Sequence, residues 1–147
     1  MSSSYVFTER SELETAVDAW IDDQDTATET YGEINTWDVS AVTDFSRLFR
    51  SKTTFNSDIS NWDVRNGTNF DLMFGRAEAF NQDIRDWDVS NGTNFFAMFY
   101  GTYDFDQDIG EWDVSSGTNF RYMFYDTDSF NQDIGEWDVS SGTNFFA

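Results

Sequence analysis

Apolar and polar positions in this chain repeat with a long, fixed period. Trp-Asp-Val begins at Trp37, Trp62, Trp87, Trp112 and Trp137, 25 residues apart each time. Ile34, Ile59, Ile84, Ile109 and Ile134 precede each Trp by three residues, and Phe45, Phe70, Phe95, Phe120 and Phe145 follow it by eight. Phe49, Phe74, Phe99 and Phe124 come four residues later, each after Leu48, Met73, Met98 or Met123. Phe55, Phe80, Phe105 and Phe130 close the units. A fixed period of this length marks a repeat protein whose units bury their apolar faces against one another.

Spacing within the unit predicts its elements. Ile59-x-x-Trp62-x-Val64 has the apolar spacing of a leucine-rich-repeat strand, with Trp62 and Val64 alternating against Asn61, Asp63 and Arg65. Gly67-Thr68-Asn69 reads as a turn and helix N-cap, and Phe70, Met73 and Phe74 at i, i+3, i+4 read as a short helix. The expected fold class is an α/β repeat solenoid, leucine-rich-repeat-like, with a parallel strand and a short helix in each repeat. Residues 1–30 differ. Leu13, Val17, Trp20 and Ile21 share one helix face, and Ser11 with Glu14, or Thr8 alone, supplies a cap. Residues 5–22 are expected as an N-terminal capping helix, ended by the polar run Asp22–Asp25. Residues 31–147 are expected as five repeats, the last incomplete, in a single domain.

Units such as Phe80-Asn81-Gln82-Asp83-Ile84-Arg85-Asp86-Trp87-Asp88-Val89-Ser90-Asn91 resemble the repeats of BspA-like leucine-rich-repeat surface proteins. The resemblance covers residues 31–147, and the stretch from Phe7 to Ile34 is similar to the lead-in of algal members. It implies a solenoid, binding or adhesion, and a cell-surface or extracellular setting. It implies no catalytic residues. One departure stands out. The family's usual unit runs Val-Thr-Asn-Met where this chain has Gly67-Thr68-Asn69-Phe70, and Gly recurs at Gly92, Gly117 and Gly142, while Val42 keeps the family type. One physical account of the exchange is that Phe in place of Met fills space that a Val would have needed.

Composition narrows the function. The chain of 147 residues has 28 acidic and 8 basic residues, a net charge of −20. Such a charge argues against nucleic acid and anionic lipid as partners. With no Cys and no His, thiolate chemistry and the commonest catalytic base are absent. No apolar run reaches the roughly 20 residues that span a bilayer, so no membrane insertion is expected. Acid pairs recur in every unit, whereas an active site needs a unique constellation, so no enzyme is expected. No cofactor or metal is expected either, because a single acidic row does not wrap a cation in oxygen ligands.

The candidate binding surface is the outward side of the Trp-Asp-Val run: Asp38, Asp63, Asp88, Asp113 and Asp138, flanked by Asp86, Glu111 and Glu136 and by Ser90, Ser115 and Ser140. The expected function is a non-enzymatic binding module presenting this acidic face to a protein, carbohydrate or cationic ligand. The alternative is a structural or surface-array protein that self-associates. A distant alternative is ice binding through the row Thr43, Thr68, Thr93, Thr118 and Thr143, which equally fits helix N-caps. The column Asp58, Asp83, Asp108 and Asp133 is expected to bond loop backbone. Phe96, Phe146, Tyr100 and Tyr103 fall out of phase with the core and are the better aromatic candidates for a sugar or partner contact. A homodimer through the uncapped C-terminal end is also expected, because bare strand edges invite pairing.

Overall fold

The structure is a computed structural model and describes residues 4–145. Helices α1 (Arg10–Asp22) and α2 (Gln24–Tyr31) pack together at the N-terminal end, followed by a single 3-10 turn, Ile34–Thr36. Leu13, Ala16, Val17 and Trp20 form the buried face of α1, while Ile21 is partly exposed. The expected cap residues do not act: Glu9 occupies the N-cap of α1 without a side-chain bond. The polar run after α1 is a cap rather than a loop. Asp23 accepts from the Thr26 amide and hydroxyl and so starts α2.

The expectation of an α/β solenoid with a strand and a helix in each repeat is overturned. Helices are confined to residues 10–36, no strand occurs among the described residues, and the repeats are turns and loops. Successive units touch through single parallel bridges, at Asp44–Asn69, Asn69–Asn94, Asn94–Asn119 and Asn119–Asn144. The physical reason lies in two places. At each expected strand, the Trp-Asp-Val aspartate accepts from the amide two residues on, as Asp88 does from Ser90 at 3.0 Å, and this turns the backbone out of extension. At each expected helix, a residue of left-handed φ interrupts the coil: Arg47, Leu72, Ala97 and Tyr122 have φ of 51–59°.

Those interruptions redirect the amides. In this segment alternate N–H groups donate to the next unit: Phe70 to Asn94, Leu72 to Phe96, Phe74 to Met98 and Arg76 to Tyr100, at 2.6–2.9 Å. The amides between them close local turns, as Met73 does on Phe70 and Gly75 on Leu72. Pairing between units therefore runs through the segment expected to be helical, not through Trp-Asp-Val. Inward projection of Phe70, Met73 and Phe74 survives, because turns and a helix alike bring these positions to one side.

Aromatic columns hold the units together. Phe45, Phe70, Phe95, Phe120 and Phe145 stack at 5.5–5.7 Å within 8° of parallel. Phe49, Phe74, Phe99 and Phe124 form a second column at 5.4–5.8 Å. Phe55, Phe80, Phe105 and Phe130 form a third, each ring lying 4.1–4.4 Å from its neighbour in the second. Offset ring pairs of this kind add roughly 0.5–1.5 kcal/mol beyond the area they bury. Trp62, Trp87 and Trp112 are buried, and each indole donates its Nε1 proton to the carbonyl of Ile34, Ile59 or Ile84 in the preceding unit.

Polar columns bond across units in the same register. Asn56 Oδ1 accepts from the Asn81 amide, Asn81 from Asp106, and Asp106 from Asn131, at 2.8–3.0 Å. Gln82, Gln107 and Gln132 add a side-chain amide to the same acceptors. The threonine row is no set of helix caps: Thr68, Thr93, Thr118 and Thr143 each donate both amide and hydroxyl to the carbonyl of the threonine one unit back. The glycine exchange has a geometric cause. A Cβ on Gly67, Gly92 or Gly117 would stand 2.6, 2.5 or 2.3 Å from the Cζ of Phe70, Phe95 or Phe120. Val42 and Phe45 coexist in the first unit, both buried, and nothing in the structure explains it.

Candidate functional site: an acidic row and a variable lateral face

The acidic row is where the repeat places it. Asp88, Asp113 and Asp138 are exposed, Asp38 and Asp63 half-exposed, and Asp86, Glu111 and Glu136 exposed beside them. Ser40, Ser90 and Ser115 donate their hydroxyls to Asp38, Asp88 and Asp113 at 2.6 Å, and the Ser140 amide donates to Asp138 at 3.0 Å. Asp63 instead holds Arg65. The serines thus belong to the turn as well as to the surface. Each bond involves one carboxylate oxygen for the most part and leaves charge directed to solvent.

Hydrogen bonds from Ser40, Ser115 and Ser140 hold the carboxyls of Asp38, Asp113 and Asp138 below the ordinary aspartate range, and the Arg65 side chain does so for Asp63. The Asp63 charge pushes Asp38 the other way, and Asp138 does the same to Asp113, so the row's members feel one another. Among the described residues no group of three or more acids is placed to hold a metal ion. The second column behaves as loop architecture. Asp58, Asp83, Asp108 and Asp133 accept from the amides of Ser60, Arg85, Gly110 and Gly135 at 2.8–3.1 Å.

Two predictions arise here. Asp88→Asn keeps an acceptor for Ser90 and removes a charge from the row, so its melting temperature should match or slightly exceed that of the parent. Asp88→Ala removes the acceptor and should cost about 0.5–1.5 kcal/mol, the usual net worth of a hydrogen bond. Thermal melts of the pair decide this. The second concerns pH. A carboxyl whose folded pKa is depressed contributes stability above its unfolded pKa, near 3.8, and loses it as pH falls through the folded value. In about 0.5 M salt, where repulsion among the acids is screened, the melting temperature should stay level down to about pH 4 and fall below it. A melting temperature that rises on acidification in that salt contradicts the turn bonds.

A second feature lies along the segment that pairs the units. Several of its register positions do not repeat. Ser46, Asp71, Phe96 and Arg121 occupy one, Arg47, Leu72, Ala97 and Tyr122 the next, and Arg50, Gly75, Tyr100 and Tyr125 a third. At its N-terminal end, α1 and the first two units enclose an open groove of about 670 Å³. The groove carries Arg10, Arg47, Arg50 and Lys52 against Glu14, Asp18, Asp44 and Asp71, which balances its formal charge. Arg10 pairs with Glu14 at 2.7 Å, Lys52 with Asp18 at 2.8 Å, and Arg47 with Asp71 at 3.5 Å. Asp71 Oδ1 is buried and has no hydrogen-bond partner among the described residues.

Further along the same face the positions turn aromatic. Tyr100 and Tyr125 stack at 5.5 Å, with the Arg76 guanidinium 5.6 Å from the Tyr100 ring centre. Arg121 lies 4.8 Å from the Tyr122 ring centre, and Tyr122 meets Phe96 and Tyr125 edge to face. Tyr103 and Tyr125 are 42% and 46% exposed, too open to count as core. Of the out-of-phase aromatics, Phe96, Tyr100 and Tyr103 reach the surface, and Phe146 lies outside the described residues. Sequence reasoning missed Arg47, Arg50, Asp71, Tyr122 and Tyr125. The signal available was the failure of their register positions to repeat.

The family profile described as "Mycoplasma protein of unknown function, DUF285" matches residues 24–113 and 93–147. No curated protein and no solved structure matches the chain. The profile covers the second helix and every repeat, so the chain belongs to the DUF285 family.

Proposed function

We propose that this chain is a non-enzymatic interaction module, of the BspA-like surface type within its family, and that its acidic row receives a positively charged segment of another protein. The observation that carries this is the row itself. Aspartates recur at one register position, outward, in turns whose hydrogen bonds favour the charged carboxylate at Asp38 and Asp113 although the neighbouring aspartate opposes it there. A cationic partner relieves that repulsion and gains from a charge array already in place. The test is binding of an oligolysine peptide across a salt series. Affinity should fall with rising salt and should drop in the triple variant Asp63→Asn, Asp88→Asn, Asp113→Asn, whose folding is checked by a thermal melt. Affinity unchanged in that variant would contradict the proposal.

A further inference from the structure

We infer that the variable lateral face is a second binding surface, distinct from the acidic row, and that it takes a neutral oligosaccharide. Three observations lead there. The first is the break in periodicity. Columns that build the stack repeat in every unit, while several register positions running from Asp71 to Tyr125 do not. Nothing in the packing requires a Phe at 96 or a Tyr at 125, since other units are built with Ser or Arg at those positions.

The second is charge. Every basic residue outside this face is spoken for: Arg65 pairs with Asp63 and Arg85 with Asp83. The other six lie in the groove or over the tyrosines. The four in the groove match its four acids, on a chain of net charge −20. An anionic ligand would meet the field of the whole molecule, and a cationic one would be drawn to the acidic row. A neutral ligand rich in hydrogen-bonding groups matches what remains.

The third is chemical. Asp71 lines the groove with its side chain 16% exposed, and its Oδ2, 3.5 Å from Arg47 Nε, can accept from a sugar hydroxyl. Arg50 enters no ion pair among the described residues and can donate to ring or hydroxyl oxygens. One and two units on, the Tyr100–Tyr125 pile presents apolar surface with hydroxyl tips, the Tyr125 ring 46% exposed, suited to a ligand whose own surface alternates C–H faces with hydroxyls. A polar, open groove followed by aromatic rings fits an extended chain better than a small enclosed molecule.

The experiment is native electrophoresis in gels carrying a soluble β-glucan, an α-glucan, a xylan or a galactomannan, followed by calorimetry with the matching hexasaccharide. Retardation by at least one polymer is expected, and it should persist in about 0.5 M sodium chloride, where ionic attraction is screened. Tyr125→Ala and Asp71→Ala should each weaken binding about tenfold. Tyr125 is a surface side chain, so a melt unchanged in Tyr125→Ala separates lost binding from lost folding. The triple aspartate variant of the acidic row should bind sugar like the parent, which keeps the two proposals distinguishable. Retardation by none of the four polymers overturns the inference. So does binding that ignores both Tyr125→Ala and Asp71→Ala, or binding that vanishes in about 0.5 M sodium chloride.

Discussion

Trp87→Ala is expected to lower stability by about 3–5 kcal/mol, as large aromatic truncations in cores do. Trp87 is 4% exposed, lies against Phe74 at 6.0 Å and donates its indole proton to the Ile59 carbonyl of the unit before. The substitution opens a cavity between two units and removes one of the two donors to the Ile59 carbonyl, leaving only the Trp62 amide. Partial collapse is hindered, because Phe74 is held in a ring column from both sides, by Phe49 and Phe99. Units in a stack depend on their neighbours, so loss at unit three should reduce cooperativity as well as the midpoint. A thermal melt reads both. A loss below about 1 kcal/mol would show that the tryptophan column is not the joint between units.

Gly92→Val is expected to destabilise by about 1–3 kcal/mol, the usual range for overpacking, and Gly92→Val with Phe95→Met is expected to recover much of it. The Cβ of the new side chain would stand 2.5 Å from Phe95 Cζ and 3.0 Å from the Val89 carbonyl oxygen. Phe95 cannot swing aside, since Phe70 and Phe120 stack on its two faces. Methionine, unbranched and flexible, leaves room for the valine. The pair then has the Val-Thr-Asn-Met pattern of the repeats this chain resembles. Recovery is measured as a coupling energy between the two sites. Additive losses would mean that the glycine is required by something other than the ring.

How far the sequence reveals the fold depends on the level considered. The period, the inward columns and the N-terminal helix are legible, because burial of Ile59, Trp62, Phe70 and Phe74 follows from spacing alone. Backbone conformation is not. Phe70, Met73 and Phe74 suit a helix by side-chain position, but Leu72 takes a φ of 52° and the amides pair with the next unit. Spacing reports which side chains share a face and says nothing of where their amides donate. The alternation at Trp62 and Val64 misleads for a similar reason: Asp63 bonds locally and bends a run that its neighbours would leave extended. The acidic row is legible because it repeats. The lateral face is half legible, since Phe96, Tyr100 and Tyr103 break phase visibly, whereas the groove joins α1 to residues distant in the chain.

Amide hydrogen exchange, resolved residue by residue, tests most directly which segment joins the units. If pairing runs through the left-handed segment, the amides of Phe95, Ala97, Phe99 and Gly101, which donate to Asn119, Arg121, Met123 and Tyr125, should be strongly protected. The amides of Asp88 and Val89, which donate to no other unit, should exchange fast. The reverse pattern, with Asp88 and Val89 protected and Ala97 exchanging freely, would place a paired strand at Trp-Asp-Val and contradict this account of the fold.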